Sequence, residues 1–171
     1  MLRRPLDQRR LTDRGNGYLS PMAGIELKSS AFNDHSFLPR RYAREGENTS
    51  PPLTWSGVPD DAAELVLLCE DPDAPSGTFV HWIVVGIDPR SGGVEAGQRP
   101  PGGTERINGF GEPGWGGPHP PAGDEAHRYF FRLYALSEPC ALPDAPSADQ
   151  VHQAVEKHEI ASGNLVGLYH R

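Results

Sequence analysis

A chain of 171 residues has the length of one domain and can bury a core without disulfide or metal staples. Its net charge of −7, with Lys28 and Lys157 the only lysines, argues against general nucleic-acid binding. Cys69 and Cys140 make no disulfide framework, and no apolar run approaches the roughly 20 residues a membrane helix needs, so the expectation is a cytoplasmic protein with no transmembrane segment.

In chain order, residues 1–21 carry five arginines against two aspartates and no apolar segment. They read as a flexible N-terminal extension rather than a signal peptide, with Met22 as an alternative start and residues 22–171 as the domain. Ile25 to Phe32 alternates loosely and predicts a first strand, and Phe37 to Tyr42 a short second one. The stretch from Glu47 to Trp55 is a turn followed by an extended segment, with Trp55 as a core anchor.

Glu64 to Glu70 and Phe79 to Ile87 are apolar on both faces, so both are expected to be central strands covered on each side. Strict alternation would put Phe79, His81, Ile83, Val85 and Ile87 on one face and Val80, Trp82 and Val84 on the other. Between the two strands lie Pro72, Pro75 and Gly77, which turn the chain into a hairpin. A Gly/Pro-rich loop follows from Asp88 to Gly117. His127 to Leu136 is the third strong strand, and Arg128 and Arg132 on it must reach solvent or a carboxylate. Ser147 to Ala161 predicts a helix with a capping box from Ser147 and Gln150, ended by Gly163. Asn164 to Tyr169 is a last short strand. With few helical patterns and 38 Gly or Pro residues, the fold class is mainly β, with two stacked sheets.

The chemistry-bearing residues fall at strand ends. Asp71 ends one strand, while His81 and His127 begin two others, and each flanks a Gly/Pro loop. If the strands pair, Asp71 and His81 come close in space. A carboxylate favours the cationic form of a nearby imidazole, and backbone N–H groups around Gly116 and Gly117 can add a nest, so the set suits a phosphate or carboxylate group. Plainer readings stand beside this one. Asp71 before Pro72 fits an Asx-type turn, His81 fits a satisfied core histidine, and His127 fits ordinary polarity at a strand start. His119 reads as an exposed loop residue. The sequence has no HxH, HExxH or paired-cysteine spacing for a metal, no cofactor motif, and no GxSxG elbow for a nucleophile.

Asp71-Pro72-Asp73-Ala74-Pro75, His81, the run from Gly117 to Gly123 and His127-Arg128-Tyr129 together resemble the phosphatidylethanolamine-binding protein family, also called Raf kinase inhibitor-like proteins. The segment from Asn48 to Trp55 resembles its bacterial and archaeal branch, and the likeness runs from about Ile25 to Tyr169. The resemblance implies a two-sheet antiparallel Greek-key β-sandwich with a few peripheral helices, one of them near the C-terminus. It implies a small anion pocket with Asp71, Pro75, His81, Gly117, Pro121, His127 and Tyr129 as ligand-binding residues, and a cis bond at Ala74–Pro75. It further implies a non-catalytic binding or regulatory protein that needs no cofactor and no metal. The partners it implies are a phosphorylated ligand, a kinase or protease, and a second copy of the chain. The alternative is a hydrolase or lyase using the His/Asp pair.

Overall fold

The computed structural model describes residues 24–171, and the extension expected over residues 1–21 lies outside the described residues. The strands are β1 (Glu26–Lys28), β2 (Ser36–Phe37), β3 (Leu53–Ser56), β4 (Glu64–Asp71), β5 (Phe79–Ile87), β6 (Gly93–Val94), β7 (Thr104–Glu105), β8 (His127–Leu136) and β9 (Glu159–Tyr169). Among the described residues one α-helix, α1 (Ala148–Glu156), precedes β9, and one 3₁₀ turn covers Arg40–Tyr42.

The strands form two sheets. The larger has the order β2-β9-β8-β4-β5-β7 and the smaller the order β1-β3-β6. Ladders within them are antiparallel except that β2 runs parallel to β9. β4 lies between β8 and β5, which explains its two apolar faces. Leu65, Leu67 and Cys69 join a core with Leu27, Leu53 and Trp55 of the small sheet. Val66 and Leu68 face the other way, under Val151 and Val155 of α1. Burying each such side chain contributes roughly 1.5–3 kcal/mol, so the central strand is held from both sides. No helix among the described residues is long and apolar enough to cross a membrane.

The expected first strand over 25–32 shortens to the three residues of β1, and the expected 37–42 strand becomes β2 and the 3₁₀ turn. The helix also ends earlier than its periodicity suggests. Its capping box is present, with Gln150 N–H donating to the Ser147 hydroxyl oxygen, but Lys157 is the C-cap and the chain turns straight into β9. Residues 159 and 161 pair with Leu136 and Ala135 of β8, so a sheet ladder wins over helix propensity. Gly163 is therefore no helix stop. It sits in mid-strand, where a Cβ would lie 2.2 Å from the Ile25 carbonyl oxygen, so its role is close approach of the β1 segment.

β5 departs from strict alternation. Cys69 pairs with Trp82 and Glu70 with Val80, which leaves His81 as an extra residue, a β-bulge. Across it the faces exchange: Val80 before the bulge and Ile83 and Val85 after it lie under α1, Trp82 and Val84 join the core between the sheets, and a second register shift opposite Leu65 to Leu67 brings Ile87 to that same core. The bulge also turns the His81 ring onto Tyr129, with ring centroids 5.1 Å apart.

Candidate functional site

The β4–β5 hairpin turn, the start of β8 and the loop before β8 meet at one end of the large sheet. Between them lies a cavity of about 180 Å³. It is lined by Asp71, Pro75, His81, Pro121, His127 and Tyr129, and also by Ala74, Phe79, Phe110, His119 and Pro120.

Asp71 ends β4 beside the first residues of β8. His127 Nδ1 donates to Asp71 Oδ2 at 2.7 Å, and both side chains are buried. The other Asp71 oxygen accepts the Asp73 N–H at 2.8 Å, so the Asx-turn reading and the site reading hold together. On the far side of the ring, His127 Nε2 donates to Asp124 Oδ2 at 3.1 Å. With carboxylate oxygens against both nitrogens, the surroundings favour the imidazolium form. Burial opposes that charge, but Asp71 and Asp124 outweigh it and hold the pKa of His127 above the ordinary histidine value. Burial likewise pushes the Asp71 carboxyl up, against the hydrogen bond from His127.

His81 is different. Its ring is buried among Phe79, Phe110 and Tyr129, and Nδ1 lies 2.6 Å from the Gly116 carbonyl oxygen, to which it donates. A carbonyl stabilises a cation less than a carboxylate does. Burial, the larger effect, takes the pKa of His81 down to about 4 despite the Gly116 and Gly117 carbonyls. The expected carboxylate support for the cationic form therefore reaches His127 and not His81, because the carboxylates sit against His127 alone. Asp71's hydrogen bond goes to His127 rather than to His81, its expected neighbour.

The expected backbone nest is also corrected. Gly116 N–H donates to the His81 carbonyl at 2.9 Å and Gly117 N–H to Asn48 Oδ1 at 2.7 Å, so neither is free for an anion. Gly117 is not among the cavity-lining residues, and its missing side chain makes room for the Tyr42 carbonyl, 2.2 Å from where a Cβ would stand. There is no cis peptide bond among the described residues, so Ala74–Pro75 is trans.

Tyr129 lines the same cavity, with its ring against that of His81. It is fully buried, and its hydroxyl has no hydrogen-bond partner among the described residues. Just behind the cavity, Arg128 grips Asp73 with its N–H, Nε and NH2 groups at 2.8–3.0 Å, fixing the hairpin turn to β8. Arg132 on the same strand reaches the carboxylate of Glu70 at 2.9 Å.

The match between this chain and known proteins is extensive. The family model described as phosphatidylethanolamine-binding protein matches residues 28–170. The chain belongs to the phosphatidylethanolamine-binding protein family. Within it, an archaeal relative, the UPF0098 protein of Methanothermobacter thermautotrophicus, is 46% identical over 152 residues, covering 86% of this chain and 99% of the relative. Among solved structures, YbcL of E. coli, described as a member of the mammalian family, aligns with a TM-score of 0.80 at 30% identity, covering 87% of this chain and 99% of YbcL. CT736 of Chlamydia trachomatis, described as a homologue, aligns with a TM-score of 0.78 at 34% identity, covering 87% of this chain and 99% of CT736. The two-sheet architecture with one helix near the C-terminus is thus the fold of the family.

Three residues at or beside the cavity have no strong signal in the sequence. His119 stands inside the Gly117–Gly123 motif but read as exposed loop. It is exposed, yet its side chain borders the cavity. Phe110 lies in an aperiodic loop, and only tertiary contact brings it to 4.7 Å from Phe79. Asp124, three positions before His127, carried no periodic signal but makes the second contact to that ring.

Proposed function

We propose that the protein is a binding or regulatory member of its family that holds a small oxyanion, phosphate or a phosphorylated head group, in the cavity between His81 and His127. The observation that carries this reading is the Tyr129 hydroxyl. Leaving a buried hydroxyl without a partner costs about 1–3 kcal/mol, and an oxygen-rich guest in the adjoining cavity removes that cost. His127 borders the same cavity, with its two ring nitrogens held by Asp71 and Asp124.

The reading is of a binder rather than a catalyst. The residues lining the cavity include no Ser, Thr or Cys, and both nitrogens of His127 are engaged by carboxylates, which leaves neither to take a proton from water. Family membership adds a regulatory role toward a kinase or protease to the same proposal.

The test is a titration with inorganic phosphate followed by NMR of the histidine ring resonances. The His81 and His127 signals are expected to move together and saturate. Signals that stay in place at high phosphate concentration would sink the reading.

A further inference from the structure

One wall of the cavity is a phenyl ring on a loop. Phe110 is half-buried, lines the cavity, and packs against Phe79 at 4.7 Å and His81 at 5.7 Å between ring centroids. The backbone beneath it is pinned by the buried Asn108, whose Oδ1 accepts the Phe110 N–H at 2.9 Å and whose Nδ2 donates to the Gly114 carbonyl at 2.9 Å. Those bonds fix where the side chain starts and leave its χ rotations open. Gly116 gives the ring a seat, since a Cβ there would collide with it. Arg44 closes on the ring from outside the cavity. Its guanidinium carbon stands 3.8 Å from the ring centroid, and Arg44 is not among the cavity-lining residues. Its Nη2 donates to Glu112 Oε1 of the same loop at 3.1 Å. Its Nη1 is buried with no hydrogen-bond partner among the described residues, so the group is committed to the ring face rather than to a full set of acceptors. The segment around Arg44 is tied to the chain beyond Phe110 as well: Trp115 Nε1 donates to the Tyr42 carbonyl at 3.1 Å, and the Arg44 N–H to the Pro118 carbonyl at 3.0 Å. Of these contacts, the one that bears on a cavity-lining side chain is the Arg44 stack.

We infer that Arg44 is a positioning residue for the cavity, holding the Phe110 ring in place as its wall by covering the ring from behind while paired with Glu112. The inference rests on the reading of this cavity as a binding site and adds the residue that fixes its wall. A cation–π contact is worth roughly two- to thirtyfold in the population of the seated ring, depending on how far it is desolvated. Without it the ring is free to swing toward solvent, which uncovers His81. Burial is the main reason the pKa of His81 lies at about 4, and the charge of Arg44 acts in the same direction. The other charged or titratable groups near that imidazole are His127, Asp71, Tyr129 and His119 on the cavity walls.

The experiment is a double-mutant cycle on the full chain with Arg44→Ala, Phe110→Ala and the two together, read by NMR and by titration with inorganic phosphate. In the unliganded Arg44→Ala protein, the NOEs from the Phe110 ring to the rings of Phe79 and His81 are expected to weaken, and the His81 titration midpoint to rise above that of the wild type. Arg44→Ala is expected to weaken phosphate binding by at least about fivefold with Phe110 present and by no more than about twofold with Phe110 already alanine, where no ring is left to hold. Arg44→Gln takes the place of the alanine variant if that variant does not fold. An equal loss in both backgrounds shows a charge acting through space and overturns the inference, as does a Phe110 ring whose contacts are unchanged without Arg44. Either of those results leaves the binding-site reading standing. No phosphate binding by the wild-type chain removes that reading and, with it, this role for Arg44.

Discussion

His127 Nδ1 lies 2.7 Å from Asp71 Oδ2, across two neighbouring strands and 56 positions of chain. The pair couples the stability of the hairpin end to pH. The folded pKa of His127 is raised above its unfolded value, so its contribution is fully present below about pH 6.5 and is lost as pH rises through the folded value. The melting temperature is therefore expected to climb as pH falls from 8.5 to 6, and this extra slope is expected to vanish in His127→Gln. Parallel profiles for wild type and variant would refute the coupling.

His81 has the opposite sign. Its folded pKa of about 4 lies below the unfolded value near ~6.5, so the unfolded chain takes up the proton first. Stability from this group is present above pH ~6.5 and declines as pH drops toward 4. In an NMR titration the His81 ring signal is expected to stay flat from pH 8 to 5.5, while the His127 signal titrates above the ordinary histidine value. A His81 midpoint near 6.5 would show that the ring is not held neutral.

Tyr129→Phe separates binding from folding. Removing a buried hydroxyl that lacks a partner relieves part of its desolvation cost, so the variant is expected to be as stable as the wild type or up to about 1 kcal/mol more stable in urea unfolding. The same change is expected to weaken phosphate binding about tenfold or more. A variant destabilised by more than about 1 kcal/mol, with phosphate affinity kept, would mean the hydroxyl serves the fold.

Gly163→Ala tests the junction between β9 and the β1 segment. A methyl group there would lie 2.2 Å from the backbone oxygen of Ile25, which cannot swing aside as a side chain would. A loss of roughly 1–3 kcal/mol is expected from chemical denaturation, the usual range for overpacking. An unchanged midpoint would show that the two segments separate readily.

The long strands were legible because burial on both faces leaves an unmistakable run of apolar residues. Leu65 to Cys69 and Phe79 to Ile87 need no tertiary information to be recognised as central strands. The start of α1 was legible for an equally local reason, since a capping box is a contact between residues three apart. Its end was not, because the choice between another helical turn and the start of β9 depends on hydrogen bonds to β8, more than 20 residues away.

By itself, the amino-acid order determined a mainly β chain with two doubly buried strands, and placed Asp71, His81 and His127 at strand ends. Only the tertiary structure decided how those three differ. The bulge at His81 turns its ring onto Tyr129 and gives Nδ1 a carbonyl partner, while Asp71 and Asp124 converge on His127. Protonation state is a property of the surroundings, set by burial and by which charged group lies within a few ångströms. Neighbours brought together across the sheet leave no mark in the local sequence.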